Sequence, residues 1–237
     1  MKIISAFGDS IMKGVVFDSM SNSKYKVTDS NFADICQKTL KLTVSNHAKF
    51  GSRINQVWNN VNRYENEISN ADYVIFECGG NDCDFNWSEI AERPDEEHKP
   101  FTTVENFSNI YSTLIDKVRE FKSKPVLLSL PVIDSQRFFD SVSAGLDKGN
   151  ILKWLHGNVN AISYWHESYN IQLFKIAQQK NVPIIDITTP FMLKSNYCDY
   201  LCGDGMHPNE KGHLLIANTI QNFVVNSRIG FMTRGEC

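Results

Sequence analysis

MKIISAFGDSIMKG, residues Met1 to Gly14, is the stretch that decides the fold. Ile3, Ile4, Ala6 and Phe7 form an apolar run with the length and composition of a buried strand. The run stops at Gly8-Asp9-Ser10, a cluster of turn formers, and Gly14 follows closely. A strand that breaks at a glycine sets Ser10 at its carboxyl end, the edge where open α/β sheets bind ligands. The rest of the chain can then be asked for what a nucleophilic serine requires, namely a base, a group that orients it, and donors for an oxyanion.

Outward from this stretch, strand-like and helix-like segments alternate. Residues 42–44 read as a second strand, 73–78 as a third, 126–130 as a fourth and 183–187 as a fifth. Ser30 is expected to cap a helix reaching about Leu40. Apolar positions recur at helical spacing over residues 54–68, 104–121 and 162–176. Pro208 suits the first turn of a last helix carrying Ile216, Ile220 and Phe223. Residues 11–29 look polar and irregular, and 83–103 acidic and loop-like. Residues 132–158 read as an excursion over one end of the sheet, partly helical around 151–155. Apolar strands alternating with helices imply a parallel sheet covered on both faces. No repeat or linker interrupts the chain, so residues 1–237 are expected to form one domain.

Bulk properties narrow the function classes. The chain has 237 residues, 42% hydrophobic and 22% charged, as in an ordinary soluble globular protein. Its net charge of −3 offers no basic field for nucleic acid or an anionic membrane. No apolar run approaches a membrane span, and the first strand begins too early to leave room for a signal peptide. A cytoplasmic location is the expectation. The six cysteines, Cys36, Cys78, Cys83, Cys198, Cys202 and Cys237, are then read as reduced thiols.

Glycine-ended turns follow the first three strands, and each brings a group useful to Ser10. Gly51 offers a backbone N–H that no Cβ shields, and Asn81, within Gly79-Gly80-Asn81-Asp82, offers a side-chain amide. Parallel strands bring their carboxyl ends to one edge, so the three turns converge. The N–H groups of Ser10 and Gly51 and the amide of Asn81 would make a three-donor oxyanion hole. His207 is the natural base, and Asp204, three residues earlier, can reach Nδ1 of the same imidazole. Asp9 and Asp82 are assigned to hydrogen bonds that hold the turns, since acyl transfer needs only one carboxylate beside the histidine.

These blocks, Gly8-Asp9-Ser10, Gly51, Gly79-Gly80-Asn81-Asp82 and Asp204-Gly205-Met206-His207, resemble the four blocks of the SGNH (GDSL) hydrolase superfamily, in the same order and spanning nearly the whole chain. The resemblance implies a flavodoxin-like α/β/α sandwich with a five-stranded parallel sheet in the order 2-1-3-4-5. It also implies Ser10 as nucleophile, His207 as base, Asp204 as its orienting partner, and Ser10, Gly51 and Asn81 as oxyanion donors. The activity implied is hydrolysis of esters and related acyl bonds with no metal or other cofactor.

Competing readings are weaker. Neither Gly-x-Gly-x-x-Gly nor a P-loop lysine is present, which disfavours a nucleotide site. Cys198, Cys202, His207 and His213 mimic a zinc set, but only four residues separate Cys202 from His207, where a finger needs about twelve. Phe85, Trp87, Phe138, Phe139 and Trp154 could line an acyl pocket, stack on a sugar, or pin loops to the domain, the last being favoured. Arg53 is read as solvated. The expected substrate is a small ester carrying a short, acetyl-like acyl group on a carbohydrate or metabolite. Alternatives are a lysophospholipase or thioesterase acting on longer chains, and a carbohydrate-binding protein without turnover.

Overall fold

A computed structural model describes residues 1–18 and 24–226. Cys237 and residues 19–23 of the irregular stretch lie outside the described residues. The main sheet contains β1 (Ile3–Gly8), β4 (Thr43–Asn46), β5 (Tyr73–Glu77), β6 (Lys124–Leu128) and β7 (Ile184–Ile185), arranged β4-β1-β5-β6-β7. All neighbouring pairs are parallel. Counting only these five, the order is 2-1-3-4-5, as the resemblance implied.

Side chains alternate across each strand, and two cores result. Phe7, Val74, Phe76 and Leu127 point to one face, where α3 (Ile54–Arg63), α6 (Val104–Glu120) and α9 (Ala161–Lys180) cover them. Ile4, Ala6, Val126, Leu128 and Ile185 point to the other, where α2 (Phe32–Thr39), α10 (Thr189–Met192) and α11 (Glu210–Asn226) contribute to the same core. A third apolar cluster is built from α5 (Trp87–Glu92), α7 (Ser135–Val142) and α8 (Lys148–Trp154), with Phe85 and Ile133. It covers segments that follow β5 and β6.

Several local expectations need correction. The polar stretch after Ser10 contains α1 (Ser10–Lys13) and an antiparallel pair, β2 (Val15–Phe17) with β3 (Tyr25–Val27). Three-residue strands are too short for alternation to register. The cap of α2 is Asn31 rather than Ser30, its Oδ1 accepting the Asp34 N–H at 2.9 Å. The helical pattern over 54–68 is broken at Tyr64, and a short α4 (Glu65–Ile68) follows. A helix also forms at 87–92, where a loop was expected, and another at 135–142, in a part of the excursion where none was marked. Pro208 pairs with Leu201 in an isolated bridge, and Asn209 caps α11 by accepting the N–H groups of Lys211 and Gly212.

Candidate active site

Gly8 lies opposite Glu77 in the β1–β5 ladder. A Cβ at Gly8 would stand 2.2 Å from the Glu77 carbonyl oxygen, so a larger residue cannot sit there without moving backbone. Asp9 then caps α1, one carboxylate oxygen accepting the Ile11 N–H at 2.9 Å. The Met12 N–H donates to the Glu77 carboxyl at 3.0 Å and the Lys13 N–H to the Asp9 carbonyl at 3.1 Å. Among the described residues the Ser10 N–H has no partner.

The loop between η1, a 3₁₀ turn at Tyr197–Tyr200, and α11 brings Asp204 and His207 to the same place. It is closed by the Leu201–Pro208 bridge and by the Cys202 N–H donating to the His207 carbonyl at 2.7 Å. Asp204 Oδ1 accepts the N–H groups of Met206 and His207, both at 3.2 Å. Its Oδ2 lies 2.6 Å from His207 Nδ1. The carboxylate can only accept, so Nδ1 carries the hydrogen and Nε2 presents a lone pair. That lone pair faces Ser10 Oγ at 2.9 Å. Ser10, Asp204 and His207 are all buried, the imidazole only 1% exposed.

The other two turns converge here as well. Gly51 adopts φ +68°, a left-handed conformation that favours glycine, and its N–H is unpartnered among the described residues. The Asn81 amide donates to Asp9 Oδ2 at 3.0 Å and to the Ser52 carbonyl at 3.2 Å, which engages both of its N–H groups. Asp9 thus bridges the first turn to the third. Asp82 joins the second and third turns differently, with both carboxylate oxygens accepting the Ile54 N–H at the start of α3 (3.0 and 3.2 Å). Burial pushes its carboxyl up to about 6.

Glu77 is the largest omission from the sequence reading. It is fully buried at the end of β5, within hydrogen-bond reach of Asp9. Burial raises the pKa of both carboxyls, and the Asp9 charge raises Glu77 further. Two touching carboxyls cannot both ionise at little cost. The Glu77 Oε1 has no other partner, so the shared proton belongs there and donates to Asp9. The signal was legible: Glu77 is the one acid in an otherwise apolar strand, immediately before Cys78-Gly79-Gly80-Asn81.

Aromatic rings enclose the site. Tyr25, on the β2–β3 hairpin, packs 5.3 Å from the His207 ring between centroids, and Phe50 lies nearly parallel to it at 6.2 Å. Phe85, Trp87 and Phe138 belong to the third cluster and also line a small cavity of about 20 Å³, bounded by Gly80 and Cys83 on one side and Met206 on another. They therefore both pin loops and shape a cavity. Arg53 is not simply solvated, because its guanidinium stacks 3.6 Å from the centre of the Phe101 ring. No helix among the described residues is long and apolar enough to cross a membrane.

Residues 6–215 match the model of the GDSL-like lipase/acylhydrolase family. The chain belongs to that family. It is a carboxylic ester hydrolase by this membership, with small ester substrates. An uncharacterised Bacillus subtilis protein, YpmR, is 26% identical over 225 residues, covering 92% of this chain and 79% of that one. A lipase/acylhydrolase from Enterococcus faecalis superposes over the full length of both chains with a TM-score of 0.64 and 19% identity. The acetylxylan esterase Axe2 from Geobacillus stearothermophilus superposes with a TM-score of 0.64 and 16% identity, over 99% of this chain and 97% of that one. At these identities the superpositions establish a common fold with these enzymes.

Proposed function

We propose that this GDSL-family protein is a serine esterase for short acyl groups, with Ser10 as nucleophile, His207 as base and Asp204 as the group that orients the base. The observation that carries the reading is the continuous buried chain from Ser10 Oγ to His207 Nε2 (2.9 Å) and from His207 Nδ1 to Asp204 Oδ2 (2.6 Å). Ser10 Oγ attacks the ester carbonyl while its proton passes to Nε2. The carbonyl oxygen becomes an oxyanion, received by the free N–H groups of Ser10 and Gly51. Asn81 is the third donor, exchanging its longer bond to the Ser52 carbonyl for the oxyanion. Collapse of the intermediate breaks the bond to the alkoxy oxygen, which takes the proton from Nε2 and leaves as the alcohol. Water then attacks the acyl-serine, giving its proton to Nε2, and the free acid departs as Ser10 regains a proton.

Short acyl selectivity is supported by the aromatic cavity between Gly80 and Met206. Its volume of about 20 Å³ exceeds only slightly what a single water needs, roughly 10–15 Å³. The likeness to an acetylxylan esterase points the same way. The test is hydrolysis of 4-nitrophenyl esters from acetate to palmitate, comparing the wild type with Ser10→Ala. Turnover confined to short chains and abolished in the variant is the expected result. A maximum at long chains would move the substrate to lipids or thioesters, and turnover surviving in Ser10→Ala would end the serine mechanism.

A further inference from the structure

A second cavity, about 480 Å³, opens beside the segment that follows β6, within the range of small-ligand sites. One wall is the start of α9. Asn160, Ser163, Tyr164 and Glu167 face it together, at the i, i+3, i+4, i+7 spacing of a single helical face. Gln136 and Met192 stand among the residues of the other walls.

His166 is the feature that asks for a ligand. It is only 6% exposed, lines both this groove and the aromatic cavity beside Gly80, and its ring makes no hydrogen bond to a described residue. Its ring nitrogens are not among the fully enclosed polar atoms, so they open onto the groove and meet whatever occupies it. Burial pushes this imidazole down to about 4. At neutral pH it therefore offers one N–H donor and one lone pair, and no charge.

The lining restricts the ligand's chemistry. It includes Asp134 and Glu167 and, among the described residues, no lysine or arginine, so a phosphate or carboxylate would meet repulsion without compensation. Hydroxyl and amide groups alternate with apolar and aromatic surface, Tyr164 being 64% exposed. A pyranose matches this pattern, with C–H faces for a tyrosine ring and hydroxyl edges for neutral donors and acceptors. We propose that the groove between the start of α9 and the segment after β6 binds a neutral carbohydrate, with His166 hydrogen-bonded to a sugar hydroxyl and Tyr164 stacked on a ring face. This does not depend on turnover at Ser10.

The experiment is calorimetric titration of the full chain with xylotriose, cellotriose and maltotriose, and with glucose 6-phosphate as the anionic comparison. The wild type and Ser10→Ala should both bind at least one trisaccharide. Tyr164→Ala and His166→Phe should each weaken that binding at least tenfold, and glucose 6-phosphate should bind more weakly than the trisaccharide. Tyr164 sits on an exposed helical face, so its variant carries the test if His166→Phe fails to fold. Absence of binding by all three trisaccharides at millimolar concentration would overturn the proposal. Binding indifferent to Tyr164→Ala, or lost in Ser10→Ala, would place the sugar elsewhere and overturn it equally. Tighter binding of the phosphate would overturn the neutral chemistry. Ester hydrolysis is measured separately, so the groove can fail while the esterase reading stands, and the reverse.

Discussion

Two histidines in this protein are almost equally hidden from water, and the fold treats them in opposite ways. His207 is 1% exposed and has a partner on each ring nitrogen, Asp204 Oδ2 at 2.6 Å and Ser10 Oγ at 2.9 Å. His166 is 6% exposed and has none among the described residues. Burial alone disfavours the imidazolium, and His166 is held neutral for that reason. At His207 the Asp204 carboxylate lies where a positive charge would develop, so the same burial strengthens the attraction instead of only opposing the charge. The difference between the proposed base and a neutral wall is therefore made by partners and not by depth.

The comparison is broken most severely by removing His207's partners. Ser10→Ala should lower kcat on 4-nitrophenyl acetate by on the order of 10⁶-fold. Asp204→Asn keeps the shape but lets an amide face Nδ1, which favours the wrong tautomer and should cost about 10⁴-fold in kcat. Both variants should retain the wild-type unfolding transition within about 1–3 kcal/mol, since each leaves at most one buried polar group unpaired. If Asp204→Asn left kcat within tenfold of the wild type, the partnered state of His207 would not be what makes it a base.

One step smaller is the support beneath the oxyanion donors. Asn81→Ala should lower kcat by about 10²–10³-fold, the usual cost of one donor. Glu77→Leu should approach that loss without touching substrate, because the buried Asp9, deprived of the Glu77 donor, would take up a proton itself and weaken as the acceptor for the Asn81 amide. Glu77→Gln offers an N–H to Asp9 and an oxygen to the Met12 N–H, and should recover most of the activity. A merely space-filling role would rank the variants the other way, with no fall in kcat separate from KM. Wild type should also carry an infrared band of a protonated carboxyl at neutral pH that Glu77→Gln lacks.

The convergence at the proposed catalytic end of this comparison was legible in the sequence, and the other end was not. Ser10, Gly51, Asn81, Asp204 and His207 occupy short turns whose residue types are restricted by backbone geometry and chemistry, so a few letters carry the information. Parallel topology then forces the strand ends together. His166 lies mid-helix in α9, among Ile162, Trp165 and Tyr169, and no local pattern distinguishes a cavity-lining imidazole from a packed one. What separates them is the packing of α7 and α9 around it, a matter of tertiary contact. Tyr25 was hidden for a related reason, since its three-residue strand takes its place from pairing with Val15–Phe17 rather than from its own periodicity. Glu77 differs again. An acid in a buried strand is visible, but its role needs Asp9 beside it, and that adjacency exists only in the β1–β5 register.

The gentlest test reads His166 through stability. Its folded-state pKa of about 4 lies below the 6.5 of an unperturbed histidine. The unfolded chain therefore binds a proton first as pH falls, and stability that is fully present above 6.5 is lost progressively down to about 4. The full difference amounts to at most about 3 kcal/mol, at 1.36 kcal/mol per unit. Asp82 carries the opposite sign. Its carboxyl rises to about 6 from 3.8, so the stability it contributes is present at low pH and lost as pH rises through 6, again about 3 kcal/mol at most. His213, lowered to about 4, and Asp84, raised to about 6, form a second opposed pair, so urea unfolding of wild type at pH 7 and pH 4 reads the sum and only the variants isolate each group. His166→Gln should then be the more acid-resistant protein, and Asp82→Asn the more acid-sensitive one. An unchanged slope in His166→Gln would mean that the imidazole finds a partner in solution that favours its charged form, and the contrast with His207 would rest on geometry alone.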